Sequence, residues 1–174
     1  MVGDRAVTAG NSDAMPVKQK KQPTLDVHIR WMIRADWQTV MRIENESFDQ
    51  PWSEEDFIKC LRQRNCIGMV AEHGNTVLGY MLYSLSKTYL TLINLAVDES
   101  YRRRGVGAAM MRKMATKLSS SRRTSIRVTV SDQVLGTHLF FAACGFKAVN
   151  VLKDLYGSGE DGYHFAYRFR GGKA

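Results

Sequence analysis

The stretch from Leu90 to Ala108, LTLINLAVDESYRRRGVGA, constrains this chain more than any other. Its first part, Leu90 to Val97, is an apolar run bounded by polar residues, the pattern of a buried strand. Asp98 and Glu99 end that strand. Arg102, Arg103 and Arg104 follow, then Gly105-Val106-Gly107-Ala108 and a helical pattern. A strand, a basic turn with glycines and a helix start together make a place to hold phosphate. Glycine lets the backbone come close to an anion, and the first helical turn offers unpaired N–H groups and the positive end of the helix dipole. Two common phosphate turns are excluded. The dinucleotide fingerprint needs glycine where Met110 stands, and the P-loop needs Gly-Lys-Ser/Thr, which does not follow here.

With 174 residues the chain can build one domain with a full core. Its net charge of +8 favours an anionic partner, such as a phosphate-bearing cofactor, an acidic protein or RNA, and serves solubility equally well. Cys60, Cys66 and Cys144 are odd in number and lack C-x-x-C spacing, so they are expected to be reduced. No metal is expected. No apolar run approaches the ~18 residues of a membrane span, and the polar N-terminal stretch carries no secretory pattern. A cytoplasmic location is expected.

Residues 1–26 are polar and aperiodic and are expected to form a mobile tail, with Lys18, Lys20 and Lys21 as a solvated charge run. The domain is expected over 27–170, with a short tail over 171–174. Val27–Arg34 alternates as a first strand. Asp36 is placed to cap a helix carrying Val40, Met41, Ile43, Glu44 and Ser47, which ends near Phe48 before Asp49-Gln50-Pro51. Ser53 with Asp56 makes a capping box for a second helix lined by Phe57, Ile58 and Leu61. Strands are expected at Cys66–Glu72 and Thr76–Leu85, separated by a tight turn at His73-Gly74-Asn75. Beyond the central strand, a helix is expected over Gly105–Ser121 and a strand over Ser125–Val130. A short helix, Leu135–Ala143, ends at Gly145, and strands at Phe146–Leu152 and Tyr163–Phe169 flank a link at 157–162.

Two motifs carry a family resemblance. Arg102-x-x-Gly105-x-Gly107 behind Asn94-Leu95-Ala96-Val97-Asp98 resembles the acetyl-CoA turn of the GNAT acyltransferases. Phe48-Asp-Gln-Pro51-Trp52-Ser53 resembles the segment between the first two helices of RimI-type N-terminal acetyltransferases, and the order βααβββαβαββ is that of the GNAT fold. The resemblance covers roughly Val27 to Arg170. It implies an α/β fold: a central twisted mixed sheet of about seven strands flanked by about four helices, splayed between the fourth and fifth strands.

It also implies roles. Backbone N–H groups around Leu95, Ala96 and Val97 would meet the acetyl carbonyl. The turn of Arg103, Arg104, Gly105, Val106, Gly107 and Ala108 would hold the pyrophosphate of acetyl-CoA, with Arg102 or Arg104 adding charge. Phe48, Pro51 and Trp52 would line a groove for the acceptor's N-terminal residues, and Tyr156 would close over it. Trp52 and Phe57 serve equally well as core aromatics.

The acid and base depart from the family. Its glutamate base falls on Thr129, its tyrosine acid on Phe141 and its cofactor-contacting asparagine on Val134. Phe has no exchangeable proton, and Thr does not ionise in the useful range. Candidate replacements are Tyr156 as acid, Glu46 or Glu44 as a base through water, and His138, against plainer roles as solvated helix residues and a surface or capped histidine. Cys144 has no basic neighbour in sequence and is expected in the core.

Three functions are weighed, and the first is the one expected. The first is acetyl-CoA-dependent acetylation of a protein's N-terminal α-amine, a ribosomal protein among the acceptors, by direct transfer in a ternary complex. The second is acetylation of a small-molecule amine. The third is a catalytically weak acyl-CoA-binding module. Direct nucleic-acid and membrane partners are not expected, and the chain is expected to be a monomer or weak dimer.

Overall fold

The computed structural model describes residues 23–169. Residues 1–22 of the expected tail over 1–26, with its lysines, and residues 170–174 lie outside them.

Alternating apolar runs pair into one seven-stranded sheet. Its strands are β1 (His28–Trp31), β2 (Cys66–His73), β3 (Thr76–Leu85), β4 (Tyr89–Val97), β5 (Ser125–Ser131), β6 (Lys147–Gly157) and β7 (Glu160–Arg168). Their spatial order is β1-β2-β3-β4-β5-β7-β6. Every pair is antiparallel except β4 with β5. That exception follows from the crossover helix between them, which returns the chain to the same end of the sheet. The helices are α1 (Trp37–Ser47), α2 (Glu54–Leu61), α3 (Val106–Ala115) and α4 (Leu135–Ala143). No described helix is long and apolar enough to cross a membrane.

Two cores lie on opposite faces. One joins α3 and α4 to the sheet through Met110, Met114 and Phe141 against Leu90, Leu92, Ile126, Val128 and Phe165. The other joins α1 and α2 through Val40, Ile43 and Phe57 against Val70, Tyr80, Leu82 and Ala96. This second core draws on β2, β3 and β4, with none of its buried members from β5, β6 or β7. On the α1/α2 face, that half of the sheet belongs to no buried apolar cluster among the described residues.

Local chemistry sets the ends. Ser53 Oγ accepts from Asp56 N–H at 3.2 Å and Asp56 returns the contact to Ser53 N–H at 3.1 Å, the expected capping box. Gly145, at φ +87°, closes α4: its N–H reaches Ala142 O, and Phe146 N–H reaches Phe141 O.

Several details differ from expectation. The first strand is His28–Trp31, not 27–34, because Met32 bonds back to Gly68 O and the chain then turns. Asp36 does not cap α1. Its carboxylate instead takes both ends of the Arg30 guanidinium, at 2.7 and 2.8 Å. The third helix stops at Ala115 rather than Ser121, where Lys117 and Leu118 tighten into turns and Leu118 folds into the core. The last two strands run longer than expected, and only Ser158 and Gly159, both with positive φ, separate them. Two residues of the expected tail contact the sheet and its turns: Leu25 N–H bonds Arg104 O at 3.0 Å, and Asp26 O bonds the His73 ring at 2.6 Å.

Candidate functional site

The parallel pairing of β4 and β5 covers only Tyr89–Thr91 against Ser125–Arg127. Beyond Thr91 and Arg127 the two strands continue without pairing, so a gap opens in the middle of the sheet. Its β4 wall has its N–H groups aimed into it. Asp98 N–H donates to Leu78 O on the β3 side at 2.8 Å, and strand N–H groups alternate sides. Leu95 and Val97 therefore turn theirs toward the gap, past the end of the ladder. A bulge at Ile93, between Asn94 and Leu92, precedes them.

The basic turn sits at the end of this wall. Asp98 caps a single 3-10 turn, Glu99–Tyr101, by accepting from Ser100 N–H at 3.0 Å. Arg103, at φ +61°, and Gly105, at φ +83°, take left-handed conformations on either side of Arg104. Successive N–H groups in such a turn face one concavity, and the start of α3 adds its unpaired N–H groups to it. A Cβ on Gly107 would stand 3.2 Å from the Phe140 ring, so glycine lets α3 and α4 approach here.

The three arginines divide. Arg102 donates from Nε to Val97 O at 2.9 Å and from Nη2 to Ser47 Oγ at 3.1 Å, which locks α1 to the end of β4. Its guanidinium is engaged within the fold. Arg104 lies 5.9 Å from the centre of the Tyr101 ring, with a buried Nε that has no hydrogen-bond partner. Arg103 is exposed. An anion in the concavity would meet Arg103 and Arg104 while Arg102 holds the frame.

On the α1/α2 face, one residue overturns its sequence expectation. Glu44 is not solvated: it is fully buried. Its carboxyl accepts from Trp52 N–H at 2.6 Å, from Asn94 Nδ2 at 3.2 Å, and from the Tyr80 hydroxyl. Helical spacing explains this, since Val40, Ile43, Glu44 and Ser47 form the single buried stripe of α1. Glu44 thereby ties the Phe48–Ser53 segment to β3 and β4. Trp52 is buried, with its ring edge-on to Phe57 at 5.4 Å. Glu46 is 51% exposed and pairs with Arg42, whose other nitrogen holds Asp98.

Across the gap, Thr129 and Phe141 fall on opposite faces. Phe141 is core between Phe140, Phe146 and Phe165. Thr129 is buried and its hydroxyl lies 2.7 Å from His164 Nδ1, the cross-strand partner on β7. Sequence reading passed over His164, although it stands between Tyr163 and Phe165, polar in an otherwise aromatic run. Val134 precedes α4 as its N-cap. His138, half-buried, bonds Ser131 O at 2.7 Å and packs on Tyr163 and Phe165.

Tyr156 lies on a bulge of β6 between Leu152 and Gly157, held by Asp154 and Asp161. The bulge folds back over Gly162, where a Cβ would collide with Leu155 and stand 3.2 Å from Thr129 Cγ2. This brings the Tyr156 segment to the Thr129 side of the gap. Cys144 lies at the end of α4 against the α3/α4 core, and burial pushes its thiol up. Cys60 and Cys66 face each other at 2.8 Å, away from the gap. No cluster of three or more metal-ligating side chains occurs among the described residues.

Residues 37–146, the splayed strands β4 and β5 among them, match the acetyltransferase (GNAT) family. The chain belongs to that family. It is 27% identical over 147 residues to an N-alpha-acetyltransferase of Sulfurisphaera tokodaii, covering 76% of this chain and 87% of that one. It is 22% identical over 122 residues to the ribosomal protein bS18-alanine N-acetyltransferase of Escherichia coli, covering 70% and 82%. A crystal structure of that E. coli enzyme aligns over 85% of this chain and 97% of its own, with a TM-score of 0.74. Arabidopsis thaliana NAA60 in complex with acetyl-CoA aligns over 83% and 100%, with a TM-score of 0.73 at 16% identity, a likeness of fold. The chain is thus a GNAT N-acetyltransferase, and the acyl donor of that family is acetyl-CoA.

Proposed function

We propose that the protein transfers acetyl from acetyl-CoA to the α-amine at the N-terminus of a protein or peptide, by direct transfer in a ternary complex. The observation that carries this is the gap between β4 and β5, with the Leu95 and Val97 N–H groups facing it and the left-handed turn at Arg103–Gly105 at its end. Bound acetyl-CoA supplies an activated carbonyl and a thiol leaving group. The chain's own residues do the rest. N–H groups at Arg103–Ala108 hold pyrophosphate, and those of Leu95 and Val97 sit where negative charge develops on the carbonyl oxygen.

Direct transfer is supported by Cys144. Burial against the α3/α4 core raises its thiol away from the thiolate that a covalent route needs. An α-amine is supported by magnitudes. About a tenth of such an amine is neutral at pH 7, given a pKa near ~8, whereas a lysine near ~10.4 is neutral about a thousandfold less often than it is charged. A site lacking the family's carboxylate suits the easier amine. The relatives named for α-amine acetylation point the same way, and a ribosomal protein is one acceptor class to try.

Phe48 and Pro51, on the segment anchored by Glu44, with Tyr156 on the opposing bulge, would flank the acceptor. Trp52 would shape this wall from beneath. Tyr156 would pass a proton on to the thiolate, and Glu46, paired with Arg42 on the rim, would hand protons on to bulk water. The test is acetyl-CoA-dependent thiol release with an Ala-starting peptide, mass spectrometry locating the acetyl group, beside an Nα-blocked lysine peptide and a small polyamine. Acetylation at the α-amine alone supports the proposal. Modification of the lysine or polyamine instead, or binding of acetyl-CoA without turnover, overturns it.

A further inference from the structure

We infer that Thr129 and His164 form a two-residue proton relay that takes the acceptor's ammonium proton, in place of a carboxylate base. The inference rests on the α-amine reading above. Thr129 lies two residues past the last β4–β5 pair, so it flanks the open gap. Ile126, Val128 and Val130 of β5 belong to the α3/α4 core, and strand side chains alternate. Thr129 therefore points to the α1/α2 face, and so does His164 directly opposite it on β7. α3 packs on the other face, so phosphates held at its start would lie there. An acceptor would then reach the carbonyl from the α1/α2 side, the side that Thr129 faces.

The hydroxyl oxygen is 2.7 Å from His164 Nδ1, within hydrogen-bond distance, and in the tautomer that carries its proton on Nε2 the ring accepts there from the hydroxyl. A threonine hydroxyl cannot hold a second proton, but it can pass its own on while accepting another. An imidazole is the side chain that takes up and releases protons between pH 5 and 8. The ammonium gives one proton to Thr129 Oγ1 as the Thr129 proton passes to His164 Nδ1. The freed nitrogen lone pair forms the C–N bond and the C–S bond breaks. The second amine proton goes to the leaving thiolate, so CoA departs as thiol, and His164 returns its proton to water. Thr129 touches the substrate, and His164 acts through it.

The surroundings of His164 leave this role open. Across from it on β6 stands neutral Asn150. The charged residues on flanking positions are Arg127 on β5, drawn 3.9 Å from the Tyr89 ring, Lys147 on β6 opposite Ala166, and Glu160 at the start of β7. The Thr129 hydroxyl is held by His164 itself.

A relay that only deprotonates the amine accelerates most where the amine is charged. It is worth about tenfold at pH 7 and almost nothing above pH 9. The experiment is kcat/KM for an Ala-starting peptide from pH 6.5 to 9.5, on wild type, H164Q, T129V, the double variant and T129S, with the Kd for acetyl-CoA measured alongside. The expected result is a loss of about tenfold at pH 7 in H164Q and T129V that fades by pH 9. The double variant should be no worse than either, T129S close to wild type, and the acetyl-CoA Kd unchanged. Wild-type rates at pH 7 in H164Q, or a loss that persists undiminished to pH 9.5, overturn the relay while α-amine acetylation stands. A wild type that binds acetyl-CoA but acetylates no α-amine overturns both.

Discussion

Replacing Glu44 by alanine should cost this fold more than any other single change to an acidic residue. The carboxyl is fully buried and receives Trp52 N–H, the Tyr80 hydroxyl and Asn94 Nδ2 from three different elements. Truncation leaves those donors facing a space the carboxyl used to fill. Each buried donor left without an acceptor costs about 1–3 kcal/mol. Three such penalties are not additive, because Asn94 and Tyr80 can re-pair and water can enter, so about 3–5 kcal/mol is expected. Against a domain stability of about 5–15 kcal/mol, that is a large fraction. At an m-value of about 2 kcal/mol/M the urea midpoint should fall by about 2 M. E44Q keeps one acceptor oxygen and should lose about half as much. E46A is the control. Its carboxylate is 51% exposed and its pair with Arg42 is worth about 0–1 kcal/mol. Urea unfolding followed by circular dichroism checks all three. A loss below about 1 kcal/mol for E44A would refute the reasoning, since it would mean the donors find water as easily as they found Glu44. At low denaturant, E44A should also raise the peptide KM while leaving the acetyl-CoA Kd alone, because Glu44 anchors the Pro51–Trp52 segment and not the phosphate turn.

Gly105→Ala places a side chain at φ +83°, with its Cβ 2.7 Å from Thr24 Cγ2. A cost of about 1–2 kcal/mol and weaker CoA binding are expected, read from melting curves with and without CoA. Arg104→Gln should weaken CoA binding more at low ionic strength than at high, and titration calorimetry at two salt concentrations measures the difference. Asp36 should make the fold acid-sensitive. Arg30 donates two hydrogen bonds to it and holds its carboxyl below the usual carboxylate range. A depressed carboxyl stabilises the fold at pH above ~4, where the unfolded chain is already ionised, and that contribution fades as pH falls through the lowered folded value. Stability measured from pH 6 to 3 should drop less steeply in D36N, from a lower starting point.

Much of the architecture was legible because its signals are local. The Ser53–Asp56 capping box, Gly145 after α4 and the β4-turn-α3 unit all depend on residues a few positions apart, and each is where the residues put it. The early stop of α3 was not legible: Lys117, Leu118 and Ser119 carry no helix breaker, and Leu118 leaves the helix because the core draws it in. Asp36 looked like a cap because a cap is the local option. A guanidinium six residues upstream gave its carboxylate a better partner.

The site divides along the same line. The stretch proposed to hold the cofactor is contiguous, so its residues could be named from their order. The proposed acceptor side is assembled across the sheet. Glu44 meets Asn94 across 50 positions, and Thr129 meets His164 across 35. Such pairs are set by register, and register depends on where every turn falls. Even so, Glu44 shares the i, i+3, i+4, i+7 stripe with Val40, Ile43 and Ser47, and a carboxyl on a buried stripe must find donors. Thr129 looked like a loss when it was judged alone, since a hydroxyl has no useful basicity of its own. Placed 2.7 Å from an imidazole, on the face by which an acceptor would enter, the same hydroxyl becomes a conduit for a proton. What one strand has given up as a base, its neighbour is positioned to supply.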